Sequence, residues 1–207
     1  MSFSGFTEQD FDVFLIPGLA PRMDALIEQV RPKLNVLGAE ISPVLSAVCG
    51  EEMFPHVAKH ARRTVHPPND TWVAWGPAKR GYKALPHFQV GMFHSHVFIV
   101  FAIIYESPNK LIFADALSSH LTNIRKSLPG SYFWSTDHLD PRGIKQTEMS
   151  GKDFEEIARK LKEVKKGEVT CGLRLDRDDP LLSDGEALLK VITETFETLL
   201  PLYRMSF

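Results

Sequence analysis

The chain has 207 residues, 43% hydrophobic and 24% charged, which is enough for one well-buried core and excludes an intrinsically disordered chain. Its formal charge of −2 is unevenly placed: residues 53–105 carry Lys59, Arg62, Arg63, Lys79, Arg80 and Lys83 against Asp70 alone, about +5 there and about −7 elsewhere. The longest apolar run is about half a membrane span, no signal-peptide pattern opens the chain, and two distant cysteines exclude a four-thiolate metal site, so a cytoplasmic protein with reduced thiols and no membrane partner is expected.

In chain order, Thr7 caps a short turn, the alternation over about 11–16 suits a strand, and Gly18 to Pro21 leads into a helix over about 21–37. Gly38 is expected to stop that helix. A second helix follows over about 41–48, ended by Cys49-Gly50, and a third over about 51–64, with Pro55 tolerated in its first turn. Strands are predicted at about 71–75, 87–93 and 96–105, linked by turns rich in Gly, Pro and Ser. A helix near 110–128, a short strand near 132–135, a helix near 152–164, a strand near 168–176 and a helix over about 184–200 complete the chain.

Strands that succeed one another without long crossovers pair antiparallel. The expectation is a single α+β domain over residues 1–207, an antiparallel meander covered on one face by N- and C-terminal helices. The order of elements resembles the TATA-binding-protein-like or helix-grip arrangement, with residues 106–167 as a helical insertion. The segments FPHVAKHARRTVHPPNDTWVAW, KRGYKALPHFQVGMF and FAIIYES, the opening FTEQDFDVF and the later VKKGE resemble the YktB-like family of uncharacterised bacterial proteins over nearly the whole chain. That resemblance implies a cytoplasmic protein of Bacillus-type bacteria with one α+β domain, no established activity and no assigned catalytic residues.

The chemistry therefore has to come from the residues. On a helix over 51–64, His56, Lys59, His60 and Arg63 fall in one sector, as a cationic face for phosphate or carboxylate or as a merely solvated one. The spacing of His56 and His60 also suits zinc, but Val57 stands where a metalloprotease helix has Glu, and no acidic third ligand is close in sequence. In the loop GPAKRGYK, Lys79, Arg80 and Lys83 surround Gly81 and Tyr82, an arrangement that can neutralise phosphate and stack on a base, without Walker or dinucleotide spacing. His87, Gln89 and Gly91 share a strand face; His94 and His96 share one only if the next strand starts early, and no His-x-Ser/Thr phosphodiesterase pair is complete. Trp72 and Trp75 should face opposite sides of their strand, one in the core and one free to floor a pocket. Asp137, His138 and Asp140, ahead of Pro-Arg-Gly, look metal-like but read first as turn chemistry.

These features favour a binding module for an anionic ligand (nucleotide, phosphate or nucleic acid) built on His56, Lys59, His60, Arg63, Lys79, Arg80, Tyr82, Lys83 and His87. One alternative is a metal-independent phosphodiesterase or nuclease using a pair among His56, His60, His87 and His94, with Arg63 or Arg80 steadying charge. Another is an interaction module for an acidic partner. No metal and no cofactor are expected, because no ligand set is complete in local sequence. Whether the basic segment over 51–64 and the KRGYK loop meet is the open question.

Overall fold

The computed structural model describes residues 2–207, and its centre is one open antiparallel sheet of seven strands. The strands are β1 (Phe54–Val57), β2 (Asp70–Gly76), β3 (His87–Phe93), β4 (His96–Ile103), β5 (Phe133–Ser135), β6 (Ile144–Lys145) and β7 (Val169–Asp176). Their order across the sheet is β1-β2-β3-β4-β7-β5-β6. The main helices are α1 (Glu8–Asp12), α2 (Leu19–Ala25), α3 (Arg31–Cys49), α4 (Lys110–Ser127), α5 (Gly151–Glu163) and α6 (Gly185–Arg204). The α+β class, the β2–β4 meander and helices from both ends of the chain on one face are as the sequence leads one to expect. Residues 106–167 do more than form an insertion: β5 pairs with β7 and β6 with β5, so this region extends the sheet.

Alternation sorts the strand residues onto two faces. Val73, Trp75, Phe88, Val90, Ile99, Phe101 and Cys171 face the helices and form the main core. Phe196 of α6 packs edge-on to Trp75 at 5.6 Å, Tyr203 stacks on Phe88 at 5.2 Å, and Phe113 of α4 lies 5.4 Å from Phe101. Trp134 and Phe154 join α5 to β5 in the same way, at 5.3 Å.

Three local expectations are overturned. The strand over 11–16 is instead the end of α1 and a 3-10 turn, Val13–Leu15. The Thr7 backbone N–H and hydroxyl both donate to the Asp10 carboxylate, and that helix start lets Phe11 and Phe14 bury together. Gly38 does not stop a helix; it lies inside α3, where a Cβ would come within 3.1 Å of Pro55 and 3.2 Å of Val73. The glycine is a close-approach residue, its carbonyl accepts the Trp75 indole N–H at 3.1 Å, and the helix ends at left-handed Gly50. The helix over 51–64 does not form. Residues 54–57 are edge strand β1, where Pro55 is tolerated, and His60 has φ of 51°, which no helix interior can hold.

Candidate functional site

Among the described residues no helix lies over the second face of the sheet, yet every residue of β2, β3 and β4 is buried. Loops over 58–69, 77–86 and 136–143 do the covering. The strands bring to this face Asp70, Trp72 and Ala74 from β2, then His87, Gln89, Gly91 and Phe93 from β3. They add His96, Phe98 and Val100 from β4, Thr170, Gly172 and Arg174 from β7, and Phe133 and Ser135 from β5. Gly91 is required here because a Cβ would collide with the Phe98 ring and with Trp72.

Trp72 and Trp75 do face opposite ways. Trp72 donates its indole N–H to the Tyr82 hydroxyl at 2.7 Å, and Tyr82 meets His87 edge-on at 4.8 Å. His87 Nδ1 donates to the Leu85 carbonyl at 2.7 Å, so Nε2 is left to accept from the Gln89 amide at 2.8 Å. Burial pushes this imidazole down to about 4 and the Tyr82 phenol up to about 12. His87 is thus a neutral, fully partnered group.

The basic segments meet on this face, but through their rings more than their charges. His56 lies 5.5 Å from Tyr82 and its Nε2 pairs with the Ala78 carbonyl at 2.9 Å. His60 meets Trp72 edge-on at 5.4 Å; burial first, then Arg63, Arg31 and Lys83, lower its pKa to about 4. Arg63 donates to the carbonyls of His66 and Pro67, both at 3.4 Å, Lys79 sits over the Phe54 ring at 5.6 Å, and Lys83 is 3.9 Å from Glu106. Lys59 and Arg80 are exposed. The four-residue cationic helix face is therefore corrected to a strand and a loop, and His94, in the β3–β4 turn, accepts from Arg177 at 2.7 Å.

Beyond Gln89 the face is not filled. A cavity of about 30 Å³ lies between the strands and the 136–143 loop, lined by Gln89, His96, Ser135, His138, Thr170 and Arg174 among others. His96 is only 5% exposed; Nδ1 pairs with Ser95 Oγ at 2.8 Å and Nε2 has no partner among the described residues. Burial lowers its pKa to about 4. Arg174 stacks over Phe133 at 4.5 Å, makes no ion pair among the described residues, and has its pKa lowered by burial. Asp140 and Asp176 favour its charged form without pairing with it, and Asp140 is held by Arg142 at 2.6 Å.

Asp137 and Asp140 make the expected turn bonds, accepting from the Leu139 and Arg142 backbone N–H groups, both at 2.9 Å. His138 also turns inward, 6.5 Å from Trp72, and donates to Glu168 Oε1 from its backbone N–H at 2.9 Å and from Nδ1 at 2.8 Å. Asp137, His138 and Glu168 together offer three ligand atoms within 4.8 Å of one another. His96, Glu168 and Arg174 are absent from the sequence-derived site. Arg174 was legible in principle, alternating with Cys171, Leu173 and Leu175 on a predicted strand; Glu168 lies 30 residues from His138 and gives no local signal.

The sequence matches the family model described as domain of unknown function, DUF1054, over residues 6–203. The chain belongs to the DUF1054 family. It is 50% identical to a UPF0637 protein of Bacillus licheniformis over 206 residues, covering 100% of this chain and 98% of that one. It is 45% identical to a UPF0637 protein of Lysinibacillus sphaericus over 200 residues, 97% of this chain and 94% of the relative. A UPF0637 protein of Oceanobacillus iheyensis is 44% identical over 203 residues, 98% and 97% of the two chains. The expected kinship with uncharacterised Bacillus-type proteins thus holds for this DUF1054 protein. Among its described residues no helix is long and apolar enough to cross a membrane.

Proposed function

We propose that the protein is a binding module for a small molecule carrying an anionic group, phosphate or carboxylate, which lodges in the cavity between Arg174 and His96. The observation that supports it is one cavity wall carrying the half-buried Arg174 guanidinium, which makes no ion pair among the described residues, beside the buried His96 Nε2, which has no hydrogen-bond partner there. In the tautomer that binds an anion, Ser95 Oγ donates to His96 Nδ1 and the ring proton sits on Nε2, a neutral donor beside the Arg174 charge. A volume of about 30 Å³ holds roughly two waters, so it suits the anionic group while any base or sugar lies outside on the rim. This moves the expected site from the Lys79, Arg80 and Lys83 loop to the β4–β7 surface. It also favours a free small anion over nucleic acid, because Arg63, Lys79 and Lys83 are turned to carbonyls, a ring and Glu106.

The histidine acid-base enzyme is the less supported reading. His60 and His87 are held near pKa 4, so neither cycles its proton near neutral pH. The test is calorimetric titration with inorganic phosphate and with nucleoside monophosphates, in the presence of a chelator. Arg174→Gln should weaken binding by about tenfold or more, the loss of one charge-assisted hydrogen bond. The triple variant Lys79→Ala, Arg80→Ala, Lys83→Ala should change it little. Loss in the triple variant alone would return the site to the loop, and no binding by the unmodified protein would refute the proposal.

A further inference from the structure

We infer that Asp137, His138 and Glu168 form a binding site for one divalent transition ion of the zinc class. The inference rests on the ligand geometry and on one buried atom, and does not depend on the anion reading. Glu168 is 6% exposed; His138 occupies Oε1 twice, and Oε2, fully buried, has no hydrogen-bond partner among the described residues. A buried carboxylate oxygen without a partner is costly, and a cation removes that cost. Asp137 stands on the exposed side with one oxygen held by the Leu139 N–H, which leaves the other for a ligand.

The donor set is one imidazole and two carboxylates, from segments 30 residues apart brought together where the 136–143 loop crosses the start of β7. Nitrogen in the set favours zinc or a similar ion over calcium or magnesium, which take oxygen cages. Three protein ligands leave a coordination position open, and Asp137 and His138 both line the cavity that Arg174 and His96 share. In the metal-free chain the Nδ1 proton lies between His138 and Glu168 Oε1; for Nδ1 to take the ion, the neutral ring carries its proton on Nε2 instead.

The test is equilibrium dialysis of the full chain against zinc in phosphate-free buffer, with elemental analysis and the visible spectrum of a cobalt-substituted sample. One zinc per chain is expected, with affinity reduced by about tenfold or more in Glu168→Gln and His138→Ala and unchanged in His66→Ala, whose imidazole is exposed elsewhere. Glu168→Gln keeps the oxygen that accepts from His138, and circular dichroism reports whether it folds. Should it not fold, Asp137→Asn on the exposed loop carries the test by the same criterion. No zinc on the unmodified protein, full affinity in the folded variants, or equal loss in His66→Ala would each overturn the site. Zinc binding without phosphate binding refutes only the anion reading, and phosphate binding in chelator without zinc binding refutes only this one.

Discussion

Asp70→Asn gives the sharpest test of how this face is balanced. Asp70 opens β2 opposite Phe93, is 2% exposed, and burial raises its carboxyl from 3.8 to about 6 even though His138, Arg63 and Lys83 pull the other way. The folded chain thus holds this proton more tightly than the unfolded chain. The stability Asp70 contributes is complete below about pH 4 and lost as pH rises through about 6. Two pKa units correspond to about 3 kcal/mol, so Asn, with the same shape and no charge to desolvate, should be more stable than Asp by about that amount above pH 7 and by almost nothing near pH 4. For a chain of this length that is a rise in Tm of about 6–12 °C at neutral pH.

Histidines act in the opposite direction. His60, His87 and His96 are each depressed to about 4, so their contribution is present above about pH 6.5 and lost as pH falls through about 4, in both forms. The difference between the two urea-unfolding curves, followed at several values between about pH 4 and 8, isolates Asp70. A difference that stays flat across this window, or an Asn variant weaker than the unmodified chain at neutral pH, would refute the argument.

Gly91→Ala drives a methyl group into the Phe98 ring and Trp72 and should cost about 1–3 kcal/mol or more in urea unfolding; an unchanged midpoint would show that the Trp72 row is loosely packed. Trp72→Phe leaves the Tyr82 hydroxyl without its donor, and a double-mutant cycle with Tyr82→Phe should give a coupling of about 1 kcal/mol. A coupling near zero would remove the Trp72–Tyr82 bond as an anchor of the 77–86 loop.

The sequence shows β3 because Phe88, Val90 and Met92 alternate with His87, Gln89 and Gly91, β4 because Val97 to Ile103 is an unbroken apolar run, and α5 because Phe154, Ile157, Ala158 and Leu161 recur at helical spacing. The error at residues 51–64 has a physical origin. His56, Lys59, His60 and Arg63 mimic a helix face by spacing alone, whereas the outcome is decided by pairing of Phe54 with Gly76 and Val57 with Val73, contacts a local pattern cannot carry. Gly38 misleads for a related reason: a glycine that ends a helix and one that lets a helix touch Pro55 and Val73 look alike in sequence. The same non-locality hides Glu168. The expectation of no metal is argued from ligand patterns along the sequence, where Glu168, which the fold brings beside Asp137 and His138 from the start of β7, gives no local signal.

Where the partners run out is itself informative about the site. On the β2–β3 side of Gln89, Trp72 pairs with Tyr82 and His87 with Gln89, and the buried atom left without a partner among the described residues is His60 Nε2, edge-on to Trp72. On the β4–β7 side, His96 Nε2 and Glu168 Oε2 lie buried, and the Arg174 guanidinium half-buried, without partners among the described residues. Loops rather than helices cover both halves, so the cause is not a difference in layer. Evolution readily removes unpaired buried groups when nothing uses them, because each costs about 1–3 kcal/mol. His96 and Arg174 line one cavity together with Asp137 and His138, the latter bonded to Glu168, and the two ligands proposed above would supply the absent partners: an anion for Arg174 and His96, a cation for Glu168.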